Sequence, residues 1–420
     1  MSNSTNQQEH RIIGADGLRA IACLAVIGHH LTQKLAMIEQ ETWVQKLQSF
    51  LLMGNVGVSI FFVLSGFLLA LPFWRKYLND GEFPSIRQYI MRRAARIMPG
   101  YYVAFFVCIV LTFVLALPHE YFWIRTLTGL TFTAGFHYVT FFPSEWIGPF
   151  WSISFEVFSY ILMPLFMYGL FCFFRKKRSF TLALLYWLAV FLIIMGGNYL
   201  IHHWFTPNED QRGWQFGLIG GAKYWMPNYN VIGFFGHFTV GIIASGIVSK
   251  LQMAGSRRDH LRKIGLFDLL SLGSLVISIL FIWQVRNVPE FDWSLQNQPF
   301  FFPYFTILMA LFLVTAPYSR WVGNLLDNRF FRYTAKVSFG LYLWHTLFIT
   351  LISMYWAKDF KHMGVVQLDR WAWISLGVVV ASYIVATASY YFVEKPIMDW
   401  SRHHEKPRKP RNLQEETRTA

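Results

Sequence analysis

Of the 420 residues, 55% are hydrophobic, 19% aromatic and 14% charged, with a mean hydropathy of +0.36, where a soluble globular chain carries about 25% charged residues. That balance excludes a soluble enzyme, and it places the net charge of +14 in a membrane, where it does not imply nucleic acid and its location matters more than its sum. Cys23, Cys108 and Cys172 all fall in apolar segments, which argues against a disulfide framework and against a metal cluster.

The chain opens on a polar N-terminal segment, residues 1–11, with no small-x-small cleavage site after a short apolar core, so the first apolar stretch is expected to be retained. Windows of about 18 to 20 apolar residues predict ten spans: 15–33, 55–74, 99–117, 146–174, 181–201, 231–249, 264–285, 300–316, 337–356 and 371–393. With the spans in alternation, one side of the membrane holds 27 Lys and Arg, the other 9, and Arg19 lies within a span. The positive-inside rule then puts both termini in the cytoplasm. The predicted fold is all-α, a polytopic integral membrane protein of about ten transmembrane helices, with a membrane domain over 12–396 and a basic cytoplasmic tail over 397–420.

Span one contains GLRAIACLAVIGHH. Arg19 and His30 are eleven residues apart, about 1100° of helix rotation and roughly 16 Å of rise, so they share a face, while His29 points about 100° away. Ionisable groups at such depth mark a pathway or a reaction centre; the alternative is a snorkelling arginine and a histidine among headgroups. In span two, Gly54, Gly57, Ser59, Ser65 and Gly66 read as close helix packing, and Ser65 as a nucleophile would need a base that the sequence does not show. In the connection that follows, Arg92, Arg93 and Arg96 sit where a helix enters the membrane ahead of Pro99, with Arg93 and Arg96 on one face. They can grip a phosphate-bearing ligand, or simply anchor the helix against anionic lipid.

Span four runs inward from the outer side and carries Trp151, Ser152, Ser154 and Glu156 in its outer half. Glu156 is expected at the depth of His30, as the carboxylate that orients and balances a general base; alternatively it pairs with an arginine or lysine to satisfy itself. The outer connections 118–145 and 202–230 are rich in aromatics, including Trp204, Trp214, Tyr224, Trp225 and Tyr229, residues of an interfacial belt or of a sugar-stacking platform. Span nine places Tyr342 and His345 at mid-depth, where a lone histidine is more commonly a hydrogen-bonded core residue than a participant. Glu394, before Lys395 and Pro396, reads as structural, and the tail after it as disordered.

Six patterns in order, GLRAIACLAVIGHH, GNVGVSIFFVLSGFLL, RRAARIMPGYY, WSISFEVFSYILMP, SFGLYLWHTLF and YFVEKP, resemble the acyltransferase 3 family of integral-membrane acyltransferases from Asp16 to about Pro396. The resemblance implies a multi-pass protein of the bacterial plasma (inner) membrane, which takes an acyl group, commonly acetyl, from cytoplasmic acyl-CoA with no metal. It delivers that group to a hydroxyl of a glycan such as O-antigen or exopolysaccharide, or of a lipid-linked saccharide. It implies an essential histidine at His30 with the arginine at Arg19, an RxxR pair at Arg93 and Arg96, and a Trp-Ser-x-x-x-Glu element at Trp151, Ser152 and Glu156. The positions of the residues add that Glu156 assists His30 as the catalytic pair, that Arg19, Arg93 and Arg96 bind acyl-CoA, and that Trp151, Ser152, Tyr342 and His345 line the site. The neighbouring acidic position of some relatives is Val157 here, so a second carboxylate is absent. Larger relatives carry an SGNH esterase-like domain; none is visible in this sequence, so a second transfer step would fall to another protein. Membrane lipid is the remaining expected partner. A small-molecule acyltransferase, for example one acting on a macrolide, competes with the glycan reading. A secondary transporter would share the topology but would more often show paired half-repeats with broken helices, and a non-catalytic anchoring protein would leave the Arg19/His30 face unexplained.

Overall fold

The computed structural model describes residues 12–37, 41–117, 119–204, 211–286 and 303–404. The N-terminal segment 1–11, the start of the eighth window (300–302), residues 205–210 of the second aromatic connection and 405–420 of the tail lie outside the described residues. Each predicted window falls on a helix: α1 Ala15–Thr32, α2 Gly57–Leu78, α3 Ile86–Val114, α4 Phe150–Phe173, α5 Phe180–Trp204, α6 Val231–Met253, α7 Leu266–Val285, α8 Tyr304–Thr315, α9 Arg329–Tyr355 and α10 Leu368–Ser389. Among the described residues there is no strand, only an isolated bridge between Leu35 and Val365.

Among the described residues, eight helical segments are long and apolar enough to cross a membrane. The two that fall short are α8, whose apolar segment ends at Tyr318, and α1, which carries Asp16, Arg19, His29 and His30 within 18 residues. The expectation of ten spans rests, for these two, on their place in the bundle: α1 packs against α2 and α9, and α8 against α6 and α7. The expected tail begins differently, because a π-helical turn at Tyr390–Glu394 leads into a further helix, Lys395–His403, that packs on α3.

Side-chain caps start three of the helices. Ser85 accepts the Gln88 amide at the head of α3, Asn230 accepts the Gly233 amide at the head of α6, and Asn328 accepts the amides of Phe330 and Phe331 at the head of α9. Each satisfies amides that the first turn leaves unpaired.

The centre of the molecule is the crossing of α2 and α6. A Cβ added at Gly66 would lie 2.0 Å from the Phe238 carbonyl oxygen, and one at Gly241 would lie 2.0 Å from that of Val63. The backbones therefore meet with no side chain between them, the close approach that small residues permit in an apolar bundle. At Gly57 the same measure gives 2.3 Å to the Ala22 oxygen, which draws α1 against α2. The packing expected of Gly54, Gly57 and Gly66 is found. Ser65 departs from it, as its hydroxyl faces a cavity.

Candidate active site

Three cavities lie in series along the inner faces of α1, α2, α3, α4 and α9. At the end of the bundle where lysine and arginine concentrate is a basic cavity of about 770 Å³, lined by Arg19, Arg92, Arg93, Arg96, Arg329, Arg332, Lys336 and Arg402, with Asp16 as its one carboxylate. A neck of about 110 Å³ follows, lined by Arg19, Arg93 and Arg96 at its basic end and by Ser65, Ser152, Glu156, Tyr160, Ser338 and Tyr342 further in. An outer cavity of about 760 Å³ begins at Val58 and Tyr342, which also line the neck, and contains His29, His30, Gln33, Thr346, Trp151, Trp214 and Trp225. The neck is the smallest of the three cavities, a constriction that suits a linear chain better than a nucleotide or a sugar ring.

The histidines have a definite proton arrangement. His345, fully buried, brings Nδ1 to 2.9 Å from the Leu341 carbonyl oxygen and Nε2 to 3.0 Å from His30 Nδ1. A carbonyl oxygen can only accept, so His345 Nδ1 carries the proton and its Nε2 offers a lone pair. His30 must then donate from Nδ1, which leaves His30 Nε2 unprotonated. His29 is fixed in the same way through Nδ1, 2.5 Å from the Leu52 carbonyl oxygen, and its Nε2 accepts from Gln33 at 3.1 Å. This assignment follows from the hydrogen-bond network, in which one tautomer per ring satisfies every partner. The arrangement leaves His30, which lines the outer cavity, with an unprotonated Nε2.

Glu156 is not the partner of His30. Its Oε1 accepts from Ser65 Oγ at 3.0 Å and from the Tyr160 hydroxyl, while the hydrogen-bond partner of the His30 ring is His345. The expectation of a shared depth fails because α4 begins only at Phe150, after an irregular lead-in. Ser152, two residues into α4, is level with Tyr342, to which its hydroxyl is bonded at 2.6 Å. Glu156 lies a turn deeper, beside Ser338 in the neck. Ser338 in turn is level with Cys23, whose Sγ reaches its carbonyl at 3.5 Å, and Cys23 is seven residues before His30, roughly 10 Å along the helix.

The other expected residues divide between the cavities. Arg19 and His30 open on the same path, Arg19 into the basic cavity and neck and His30 into the outer cavity, as their common face predicts. Trp151 lines the outer cavity, stacked on Phe141 with ring centroids 5.5 Å apart. Arg93 and Arg96 line both the basic cavity and the neck.

Three features were not found by reading the sequence. A carboxylate does stand beside Ser65: its hydroxyl donates to Glu156, ninety-one residues away. Glu394 is structural, as expected, with a partner the sequence does not name: 1% exposed on the π-helical turn, it holds Arg96 Nη1 at 3.2 Å. At the head of α9, Arg329 and Arg332 repeat the i, i+3 spacing of Arg93 and Arg96, and with Lys336 they form the opposite wall of the basic cavity; that spacing was visible in the sequence, but nothing there placed the two pairs face to face.

Comparison with known proteins gives a family. A model described as an acyltransferase domain matches residues 12–391. OatA of Listeria monocytogenes, a peptidoglycan O-acetyltransferase, is 24% identical over 429 residues, covering 94% of this chain and 57% of that protein. YrhL of Bacillus subtilis, provisionally named a peptidoglycan O-acetyltransferase, is 25% identical over 407 residues, covering 93% of this chain and 55% of that one. The chain thus spans little more than half the length of these curated relatives. No solved structure matches.

Proposed function

The chain belongs to the acyltransferase domain family, and from that premise we propose that it is a membrane O-acyltransferase moving an acyl group, acetyl in the simplest case, from cytoplasmic acyl-CoA to a hydroxyl of a cell-envelope glycan. One observation carries this reading: a cation-lined cavity and a histidine-lined cavity are joined by a neck of about 110 Å³. Acyl-CoA is a polyphosphate on a long thin arm that ends in the reactive thioester. Its charged end suits the basic cavity, where Arg19, Arg93 and Arg96 meet phosphate by charge-assisted contacts. Its arm is the part that fits the neck, and threading it places the thioester beside His30.

The acceptor enters from the other end. The outer cavity presents the faces of Trp151, Trp214 and Trp225 with the amides of Gln33 and Asn55, a combination of stacking surface and hydrogen-bonding groups that suits a saccharide. The buried Trp225 Nε1 and Thr346 Oγ1 in its wall have no hydrogen-bond partner among the described residues, and the hydroxyls of a sugar would satisfy them. Peptidoglycan, the acceptor in the relatives' names, is the first glycan to offer, ahead of O-antigen and exopolysaccharide.

In the reaction, His30 Nε2 takes the proton of the acceptor hydroxyl as its oxygen attacks the thioester carbonyl. The C–O bond forms, the C–S bond breaks, and the imidazolium returns the proton to the departing thiolate. His345 stabilises that imidazolium by accepting from His30 Nδ1. Glu156 acts in the neck: it orients Ser65 and Tyr160 and sets a negative charge opposite the arginines, which confines the phosphates to the basic cavity.

The test is transfer of label from [acetyl-14C]acetyl-CoA to peptidoglycan fragments by the full chain in nanodiscs, against His30→Ala. The expected result is labelled glycan with the wild type alone. Equal labelling with the variant, or no CoA-dependent labelling of any glycan by the wild type, would overturn the reading.

A further inference from the structure

The basic cavity holds more positive charge than the diphosphate at the head of a thin arm requires, and the surplus has a definite position. We infer that Arg329, Arg332 and Lys336 form a second, separate phosphate subsite, which reads the 3′-phosphate on the ribose of the acyl-CoA donor. The inference rests on the proposed donor and adds to it the part of the molecule that this wall recognises.

The argument follows from which residues line which cavity. Arg19, Arg93 and Arg96 line both the neck and the basic cavity, so an arm in the neck leaves its diphosphate against them. Arg329, Arg332 and Lys336 line the basic cavity but not the neck. They therefore face an anionic group set further from the arm. In acyl-CoA that group is the 3′-phosphate, which lies beyond the diphosphate on the ribose.

The cations themselves call for an anion. Arg329, Arg332 and Lys336 are exposed and lie on one face of the first turns of α9, and their side chains have no hydrogen-bond or ion-pair partner among the described residues. Arg96, across the cavity, is by contrast already paired with Glu394 at 3.2 Å, and Arg402 with Asp399 at 3.5 Å. Cations that only anchored the helix to lipid headgroups would point outward around its rim; these three share a concave wall with Arg93 and Arg96. Two arginines at i, i+3 present parallel forks, which match the oxygens of a terminal phosphate better than the single remaining charge on each phosphate of a diphosphate.

The experiment compares binding of CoA and 3′-dephospho-CoA to the full chain in nanodiscs by calorimetry, for the wild type, Arg329→Ala/Arg332→Ala and Arg257→Ala. Arg257 is an exposed arginine on the same side of the molecule and lines none of the three cavities. The wild type should bind CoA at least tenfold tighter than dephospho-CoA. The double variant should lose that preference by weakening CoA alone, and Arg257→Ala should keep it. Equal affinities in the wild type, an equal loss for both ligands in the double variant, or the same loss in Arg257→Ala would overturn the subsite. Absence of acetyl transfer alongside a preserved 3′-phosphate preference would overturn the proposed reaction and leave the subsite standing.

Discussion

The two large cavities are nearly equal in volume, about 770 and 760 Å³, and opposite in chemistry. The basic one is built from helix ends and carries eight cations and one carboxylate. The outer one is built from α1, α4, α9 and the connections beside them, and carries three tryptophans and three histidines with no lysine, arginine or carboxylate. Volume therefore says little about what each accepts. The difference in lining suits a polyanion at one end and a hydroxyl-rich molecule at the other, and on the proposed reading the neck between them is where the two would meet.

The comparison breaks most sharply at His30. His30→Ala should lower acyl transfer by about 10²- to 10⁴-fold, the usual contribution of a positioned general base, while CoA binding by calorimetry is unchanged; transfer at the wild-type rate would remove chemistry from the outer cavity. Next in size is the basic end. Arg93→Ala/Arg96→Ala should raise the KM for acetyl-CoA by about 10- to 100-fold, as expected for hydrogen bonds to charged groups, with kcat and the acceptor KM held; a fall in kcat alone would show that the pair acts on the reaction and not on the donor.

A smaller effect separates the two histidines. His345→Gln keeps an oxygen that can accept from His30 Nδ1, whereas His345→Phe does not, so kcat should fall about tenfold further for Phe than for Gln, in the range of a neutral hydrogen bond. Identical losses would make His345 a packing residue. The smallest effect tests the whole contrast at once: between 50 and 500 mM salt the donor KM should rise several-fold while the acceptor KM stays level, because screening acts on charged partners. Parallel rises in both would mean that the acceptor too is read by charge.

Much of this arrangement was legible in the sequence, for identifiable reasons. Arg19 and His30 lie on one helix, and the fixed 100° step of a helix is enough to put them on one path. The small residues at Gly54, Gly57 and Gly66 announced close crossings. What was not legible depends on the relative height of different helices. Glu156 was assigned to His30 because both lie in outer halves of their spans, but the irregular lead-in before Phe150 shifts α4 so that Glu156 falls roughly two turns below His30. It meets Ser65, whose role was dismissed for want of a base. His345 looked like a core histidine because its partner is 315 residues away, and the second arginine pair at the head of α9 looked like ordinary cytoplasmic charge.

The glycine crossings at Gly57, Gly66 and Gly241 have a mechanical consequence. With backbone against backbone, α1, α2 and α6 have no side-chain cushion to compress, so they behave as a single rigid unit, of which α1 and α2 face the neck. α3 and α4, much of whose outer surface is exposed, line the neck together with α9, and widening of the neck falls more easily to these two than to the tightly crossed pair. The outward faces of α3 and α4 are the ones that a bilayer would meet. The thickness and lateral pressure of the surrounding bilayer thus bear directly on the side of the gate that is free to yield.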